Sequence, residues 1–309
     1  MSAATTNILF VDDEDFVLRA MKRLFGRIYN VFVASSGPEA VEIVRQNHIH
    51  VVVCDQRMPG MIGVEALRQI RDISPATMRI LLTGYSDLEA VIRAVNDGEV
   101  YRYVTKPWRN EELKATIDSA VKIAQETAHA LGVKQEVAQD LVDILVVDQD
   151  NATYQEVKAL HSGGKTLFAR TSQEVLEILE KESGVGVMIA DVKNVDREID
   201  DLVTTLKRHY PYLVTVVCSQ LSDINLLSRL INQGQIHRFL VKPLRRESME
   251  HALKSAATKS LELQRSPDLV KRHQVEEGEV NPLLEARVRT LGQRLVDKLW
   301  ALLGWGKGS

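Results

Sequence analysis

The sequence predicts an α/β protein made of two tandem, doubly wound parallel sheets, followed by a separate amphipathic helix. Three observations predict it. Short β-favouring runs alternate with helical segments through residue 125, the pattern of a parallel sheet with crossover helices. The same order of segments then returns at an offset of 136 residues: DILVVDQD at 143–150 echoes NILFVDDE at 7–14. The chain has 309 residues, enough for two such domains with connections.

Taken in order, residues 7–11 (NILFV) read as a buried strand. Residues 15–27 carry Phe16, Val17, Ala20, Met21, Leu24 and Phe25 at helical spacing. A second strand spans 30–34, and Ser36-Gly37-Pro38-Glu39 opens a helix through Val44, with proline tolerated in a first turn. The third strand, 50–54, ends at Asp55, and a helix follows over 63–73. The fourth strand, 78–82, ends at Thr83; the helix from Asp87 stops near Gly98; the fifth strand is 101–104. The last helix starts near Arg109 and repeats Leu113, Ile117, Ala120, Ala124, Ala128 and Leu131 at three- and four-residue steps. That stripe fits either a closing helix on its own sheet or an extension into a coiled coil between two chains, with Gly132 ending or bending it. The first domain is therefore expected over residues 1–130, with a link at 131–142.

In the second pass the offset slips to 135 where SQEVLEIL matches GPEAVEIV, and the repeat occupies 143–265. Residues 266–280 are polar, of mixed charge, with Pro267 and Gly278, and read as a linker. In the closing segment, 281–309, Leu284, Val288, Leu291, Leu295, Leu299, Leu302 and Leu303 form one apolar stripe, with Trp300 and Trp305 near its end. Such a helix can dock on a partner protein or second copy, lie on a membrane surface, or pack back on the two sheets. The long, narrow stripe places protein docking first and membrane binding below it.

Net charge is −3 with 26% charged residues, which excludes a broadly basic surface and gives an expectation of no nucleic-acid partner. Cys54 and Cys218 lie in apolar runs of different domains, where a thiol is small core filler. The N-terminal residues lack a signal-peptide pattern and no run is long enough to span a bilayer, so a cytoplasmic protein is expected.

The chemistry lies at strand ends. Asp12-Asp13, Asp55, Thr83 and Lys106-Pro107 each follow an apolar run, and the C-terminal rim of a parallel sheet is where ligands bind. Phosphoryl transfer needs an in-line nucleophile and neutralisation of the phosphoryl oxygens. Asp55 is the candidate nucleophile. Asp12 and Asp13 beside it form an all-oxygen cluster of like charge that suits Mg²⁺. Lys106 offers a point charge, Thr83 a hydroxyl, and Gly84 room for entry. Singly, these are ordinary turns and caps. Together they occupy the ends of strands one, three, four and five in the order a phosphoacceptor needs.

The segments VDDE, CDQRMPG, LLTGYSD and YVTKPW give residues 7–125 a resemblance to the receiver domain of two-component response regulators. The resemblance implies a flavodoxin-like (βα)5 fold with strand order 2-1-3-4-5. It implies phosphorylation of Asp55 by a histidine kinase or phosphotransfer protein, and Mg²⁺ on Asp12, Asp13, Asp55 and the backbone carbonyl of Arg57. It also implies Thr83 and Tyr103 as a switch pair, Lys106 as the phosphoryl-binding lysine, and a cis bond before Pro107. The stretch from Leu81 to Trp108 is similar to receivers that precede cyclic-di-GMP phosphodiesterase domains, though no segment large enough for an independent enzyme is expected here.

The second copy keeps Asp148, Asp191, Ser219, Phe239 and Lys242 but departs elsewhere. Gln149 replaces the second acid, Lys193-Asn194-Val195 replaces Met-Pro-Gly, and Gln220 stands at the position of Gly84. Less metal charge leaves Lys242 to pair directly with Asp191, so a degenerate receiver that serves as a docking or dimerisation surface is expected. The function expected of the whole is a response regulator that changes contact with a downstream protein target, with a homodimer possible. The rival is a phosphorelay intermediate or phosphate sink without an output.

Overall fold

The computed structural model describes residues 6–84, 88–96, 100–127, 142–182, 184–192, 197–220, 227, 230–232, 234–265 and 282–302. The chain divides into two compact units, residues 1–134 and 135–309.

In the first unit, β1 (Asn7–Val11), β2 (Asn30–Ala34), β3 (Val51–Asp55), β4 (Met78–Thr83) and β5 (Arg102–Thr105) form a parallel sheet in the order β2-β1-β3-β4-β5. β3 is buried along its whole length. Its VVVC run does not alternate because helices cover both faces of such a sheet. The helices are α1 (Asp15–Phe25), α2 (Gly37–Gln46), α3 (Gly63–Ile73), α4 (Leu88–Asn96) and α5 (Asn110–Thr127). On one face, Leu18, Met21 and Phe25 of α1 and Leu113, Ile117 and Ala120 of α5 pack with Ile8, Phe10, Val53 and Ile80. Burial of each large side chain contributes about 1.5–3 kcal/mol. On the other face, Ser36 accepts the Glu39 N–H (3.4 Å) and the Glu39 carboxylate accepts the Ser35 N–H (2.8 Å), which fixes the start of α2.

The sequence-based elements shift in small ways. Asp55 and Thr83 lie inside their strands rather than after them, because each still pairs with its neighbour: Asp55 with Leu82, Thr83 with Thr105. Phe16 is 73% exposed and Leu24 40%, although their spacing placed them with the core. The buried stripe of α1 runs through Leu18, Met21 and Phe25, and a 3.6-residue period turns the other two outward. In α5, Leu113, Ile117, Ala120 and Ala124 are buried in this unit's own core, as the closing-helix reading requires. Ala128, Leu131, Gly132 and most of the link at 131–142 lie outside the described residues.

In the second unit, β6 (Asp143–Val147), β7 (Thr166–Ala169), β8 (Val185–Val192), β9 (Val214–Ser219) and β10 (Arg238–Val241) form a parallel sheet in the equivalent order, β7-β6-β8-β9-β10. Its described helices are α6 (Ala152–Leu160), α7 (Ser172–Lys181), α8 (Arg197–His209), α9 (Arg246–Arg265) and α10 (Pro282–Leu302). The linker expected at 266–280 is outside the described residues.

The described part of the C-terminal helix packs back on its own unit, the third of its three readings; the side chains of Leu299, Trp300, Leu302, Leu303 and Trp305 lie outside the described residues. α10 packs on α7 and α8 of this unit. Val288 (0% exposed), Leu291 (7%) and Leu295 (3%) are buried. Glu285 pairs with Arg208 (3.1 Å) and His209 (2.5 Å), and Arg294 with Glu180 (2.7 Å). Gly292 permits the close approach: a Cβ there would lie 2.4 Å from the His209 carbonyl oxygen. The stripe is apolar enough to need cover, and the nearest cover is its own domain.

Candidate functional site

Parallel strands that end together bring their last residues to one rim. On the rim of the first unit, oxygens of Asp12, Asp13 and Asp55 all lie within 4.8 Å of one another. Asp12 and Asp55 are buried (2% and 4% exposed) and Asp13 is exposed. The Lys106 ammonium reaches across from the end of β5, 2.5 Å from Asp55 Oδ1 and 3.3 Å from Asp12 Oδ2. The Lys106 N–H donated to Thr83 O (2.7 Å) sets where that lysine leaves the strand, and the peptide bond to Pro107 is cis. The Arg57 N–H donates to Asp55 Oδ2 (3.0 Å), which brings the Arg57 backbone against the carboxylate. The Glu14 N–H donates to Asp12 Oδ1 (2.9 Å).

Burial pushes the Asp55 carboxyl above the ordinary carboxylate value, while the hydrogen bond and charge of Lys106 oppose that rise. Burial works against the Lys106 ammonium too, but its hydrogen bond to Asp55 and the charges of Asp55 and Asp12 hold it above the ordinary lysine value. Cys54, also buried, has its thiol pushed up by burial and then by the charges of Asp55 and Asp12, which disfavours the thiolate.

Thr83 is fully buried at the end of β4, its hydroxyl donating to Gly84 O (3.3 Å). Tyr103, two residues before the end of β5, is 1% exposed. All the residues singled out in the first domain thus lie at or beside one rim.

Two supports of this site had no role assigned to them from the sequence. Gln56 is buried, donates its N–H to Leu82 O (2.9 Å), accepts the Gly63 N–H on its carbonyl (3.0 Å) and accepts the Val64 N–H on Oε1 (3.2 Å). Gly63 opens α3 directly over β3: a Cβ there would sit 2.1 Å from Asp55 O. In between, Gly60 takes φ +78°, the left-handed turn that glycine adopts without strain.

The second unit brings together Asp148, Asp191 and Lys242, also with a cis bond before its proline, but in a different arrangement. Lys242 Nζ and the Thr153 hydroxyl (2.8 Å) both bond Asp191 Oδ2. Asp148 accepts the N–H groups of Asp150 (2.9 Å), Thr153 (2.8 Å) and Tyr154 (3.4 Å), and so caps the start of α6. The Ser219 hydroxyl donates to Val192 O (2.6 Å). Phe239 is buried. Among the described residues, no cluster of three acidic groups corresponding to Asp12, Asp13 and Asp55 occurs here. Thr153 was missed in the sequence because it stands where the first domain has Val17, inside a helix rather than at a strand end.

No helix among the described residues is long and apolar enough to cross a membrane. Residues 8–118 match the family of response regulator receiver domains. The hydrogenase transcriptional regulatory protein HoxA of Cupriavidus necator is 38% identical over 122 residues, 40% of this chain and 25% of that protein. HoxA of Bradyrhizobium diazoefficiens is 28% identical over 196 residues, 58% of this chain and 39% of that protein. The transcriptional regulatory protein ZraR of Escherichia coli is 36% identical over 124 residues, 39% of this chain and 27% of that protein. The chain therefore spans between a quarter and two fifths of the length of these relatives. Their names are those of transcriptional regulators, so the expectation of no nucleic-acid partner finds no support in them. Among solved structures, the signal receiver domain of an HD domain-containing protein from Pseudomonas fluorescens is 30% identical, covers 42% of this chain and all of that one, and aligns with a TM-score of 0.39. Through the match of residues 8–118, the first domain is a response regulator receiver domain.

Proposed function

We propose that the chain is a response regulator with two receiver domains in tandem, the first active and the second degenerate. Asp55 accepts a phosphoryl group from a histidine kinase or phosphotransfer protein. A carboxylate oxygen of Asp55 forms the O–P bond as the P–N bond of the donor phosphohistidine breaks, and the departing imidazole takes up a proton. Lys106 binds a phosphoryl oxygen, Thr83 turns its hydroxyl to another, and Tyr103 follows Thr83 as the partner half of the switch.

The single observation that carries this reading is the clustering of three carboxylates, with oxygens within 4.8 Å of one another, beside the Lys106 ammonium 2.5 Å from Asp55. Three negative charges against one positive charge, on oxygen donors only, fit a hard divalent cation. Asp12, Asp13, Asp55 and the Arg57 carbonyl would hold Mg²⁺, which when bound neutralises phosphoryl charge. Lys242 and Thr153 on Asp191, and the N–H groups on Asp148, support the second site as structural.

Phosphorylation then alters a protein contact, with no further enzyme activity of the chain's own. A relay intermediate without an output is the second reading. The first experiment is labelling of the full chain by a small acyl phosphate with Mg²⁺. Asp55→Asn should abolish it, and labelling at the wild-type level in that variant would overturn the assignment. Capture of a protein only when beryllofluoride and Mg²⁺ are present would favour an output, and exchange of phosphate with a kinase alone would favour the relay.

A further inference from the structure

The second unit carries a cleft built partly from residues that differ from their counterparts in the first. At the start of β10 and along α9, an open cleft of about 300 Å³ is lined by His237, Arg238, His251, Lys254, Ser255 and Lys259, with Glu262 the sole acid among the described lining residues. Arg238, Lys254 and Lys259 line it with one carboxylate, Glu262, which Lys259 meets at 3.2 Å. Ser255 ties the wall together: its oxygen lies 2.7 Å from His237 Nε2 and 3.1 Å from Arg238 Nη2.

The first domain provides an internal comparison. With the offset of 136 residues, His237, Arg238, Lys254, Ser255 and Lys259 stand where it has Tyr101, Arg102, Asp118, Ser119 and Ile123. There Asp118 is satisfied by Lys114 (2.5 Å) and Tyr29 (2.5 Å), Tyr101 meets Ser119 (3.4 Å), and Ile123 is buried. The second domain replaces an acid and an apolar residue with two lysines, which makes this helix–strand seam positive. Behind it, Lys207 is buried and donates to Pro211 O (3.0 Å). Burial, and then the charges of Arg238, Lys259 and Lys207, hold the His237 imidazole at about 3. Like charges gathered against low-dielectric walls focus a positive field, and a bound anion relieves it.

We propose that this cleft binds a small phosphorylated ligand, with Arg238, Lys254 and Lys259 on its phosphate oxygens and the Ser255 hydroxyl beside them. Arginine forks and lysine ammonium groups are the usual pair for phosphate, and the volume lies at the small end of ligand pockets. The degenerate receiver is then a ligand-binding domain on the same fold.

The test uses the full chain with inorganic pyrophosphate as the probe, at roughly physiological ionic strength. Mg²⁺ is left out so that the probe is not held at Asp55. Imidazole resonances of His237 and His251 are followed by NMR. A saturable shift at sub-millimolar pyrophosphate is expected, weakened at least tenfold in Lys254→Asp/Lys259→Ile, which installs the residues of the first domain. Lys254→Gln, on an exposed position, should weaken it by a smaller factor and guards against misfolding of the double variant. Acyl phosphate labelling of Asp55 should be unchanged in both. A shift that never saturates, one that sodium chloride of equal ionic strength reproduces, or an affinity unchanged by either variant would overturn the proposal.

Discussion

Gly292→Leu should release the C-terminal helix from its domain. At Gly292 a Cβ would lie 2.4 Å from His209 O and 2.8 Å from the His209 carbonyl carbon, both backbone atoms that cannot swing aside. Ordinary contact begins about 1 Å further out, and forcing extra atoms into a packed seam costs about 1–3 kcal/mol. A leucine adds three more carbons in the same direction, so α10 must lift. Val288, Leu291 and Leu295 then lose cover worth about 1.5–3 kcal/mol each as an upper estimate. The Glu285 pairs with Arg208 and His209, partly exposed, add about 1 kcal/mol or less. Leucine is also a better helix former than glycine by roughly 1 kcal/mol, so the helix itself should survive while its docking fails. Hydrogen exchange of the amides between 285 and 298 reads this directly. Wild-type protein should protect them well beyond an isolated helix, and Gly292→Leu should bring them to the isolated level while β6 and β8 keep their protection. Unchanged protection of α10 would refute the close-approach argument and, with it, the docked position of the helix.

Other outcomes follow from single features. Gly63→Ala, whose Cβ would meet Asp55 O at 2.1 Å, should cost about 1–3 kcal/mol in urea unfolding and slow acyl phosphate labelling, because α3 must move off the end of β3. Mn²⁺ titration followed by paramagnetic resonance should find one site per chain, lost in Asp13→Asn; Gln149→Asp/Thr153→Val should add a second by restoring an acid and removing the hydroxyl on Asp191. Lys207 is pulled down to about 7 by burial and then by Lys259. The unfolded chain therefore holds that proton to higher pH, and stability of the second unit should rise above neutrality, by up to about 1.4 kcal/mol per pH unit. Urea unfolding at several pH values should show that slope, and Lys207→Met should flatten it. Burial works against the Glu285 carboxylate, but His209 and Arg208 hold it below its ordinary value. Its contribution to docking should therefore be complete above that value and fade as pH falls below it, read by the same exchange experiment.

The sequence by itself determined the strand and helix alternation, the repeat, and the rim on which Asp12, Asp13, Asp55, Thr83 and Lys106 meet. These were legible because each depends on local pattern: an apolar run sets a strand, and parallel strands in one sheet must end at one edge. Only the tertiary structure decided what each residue touches. Phe16 turned outward by helix phase, a fraction of a turn that its spacing did not resolve. Thr153 reached Asp191 from a helix 38 residues away. Val288, Leu291 and Leu295 of α10 found their cover on α7 and α8, and the cations of the basic cleft came together from β10 and α9. Such contacts depend on which surfaces are left exposed once the sheets have formed, and no single segment carries that information.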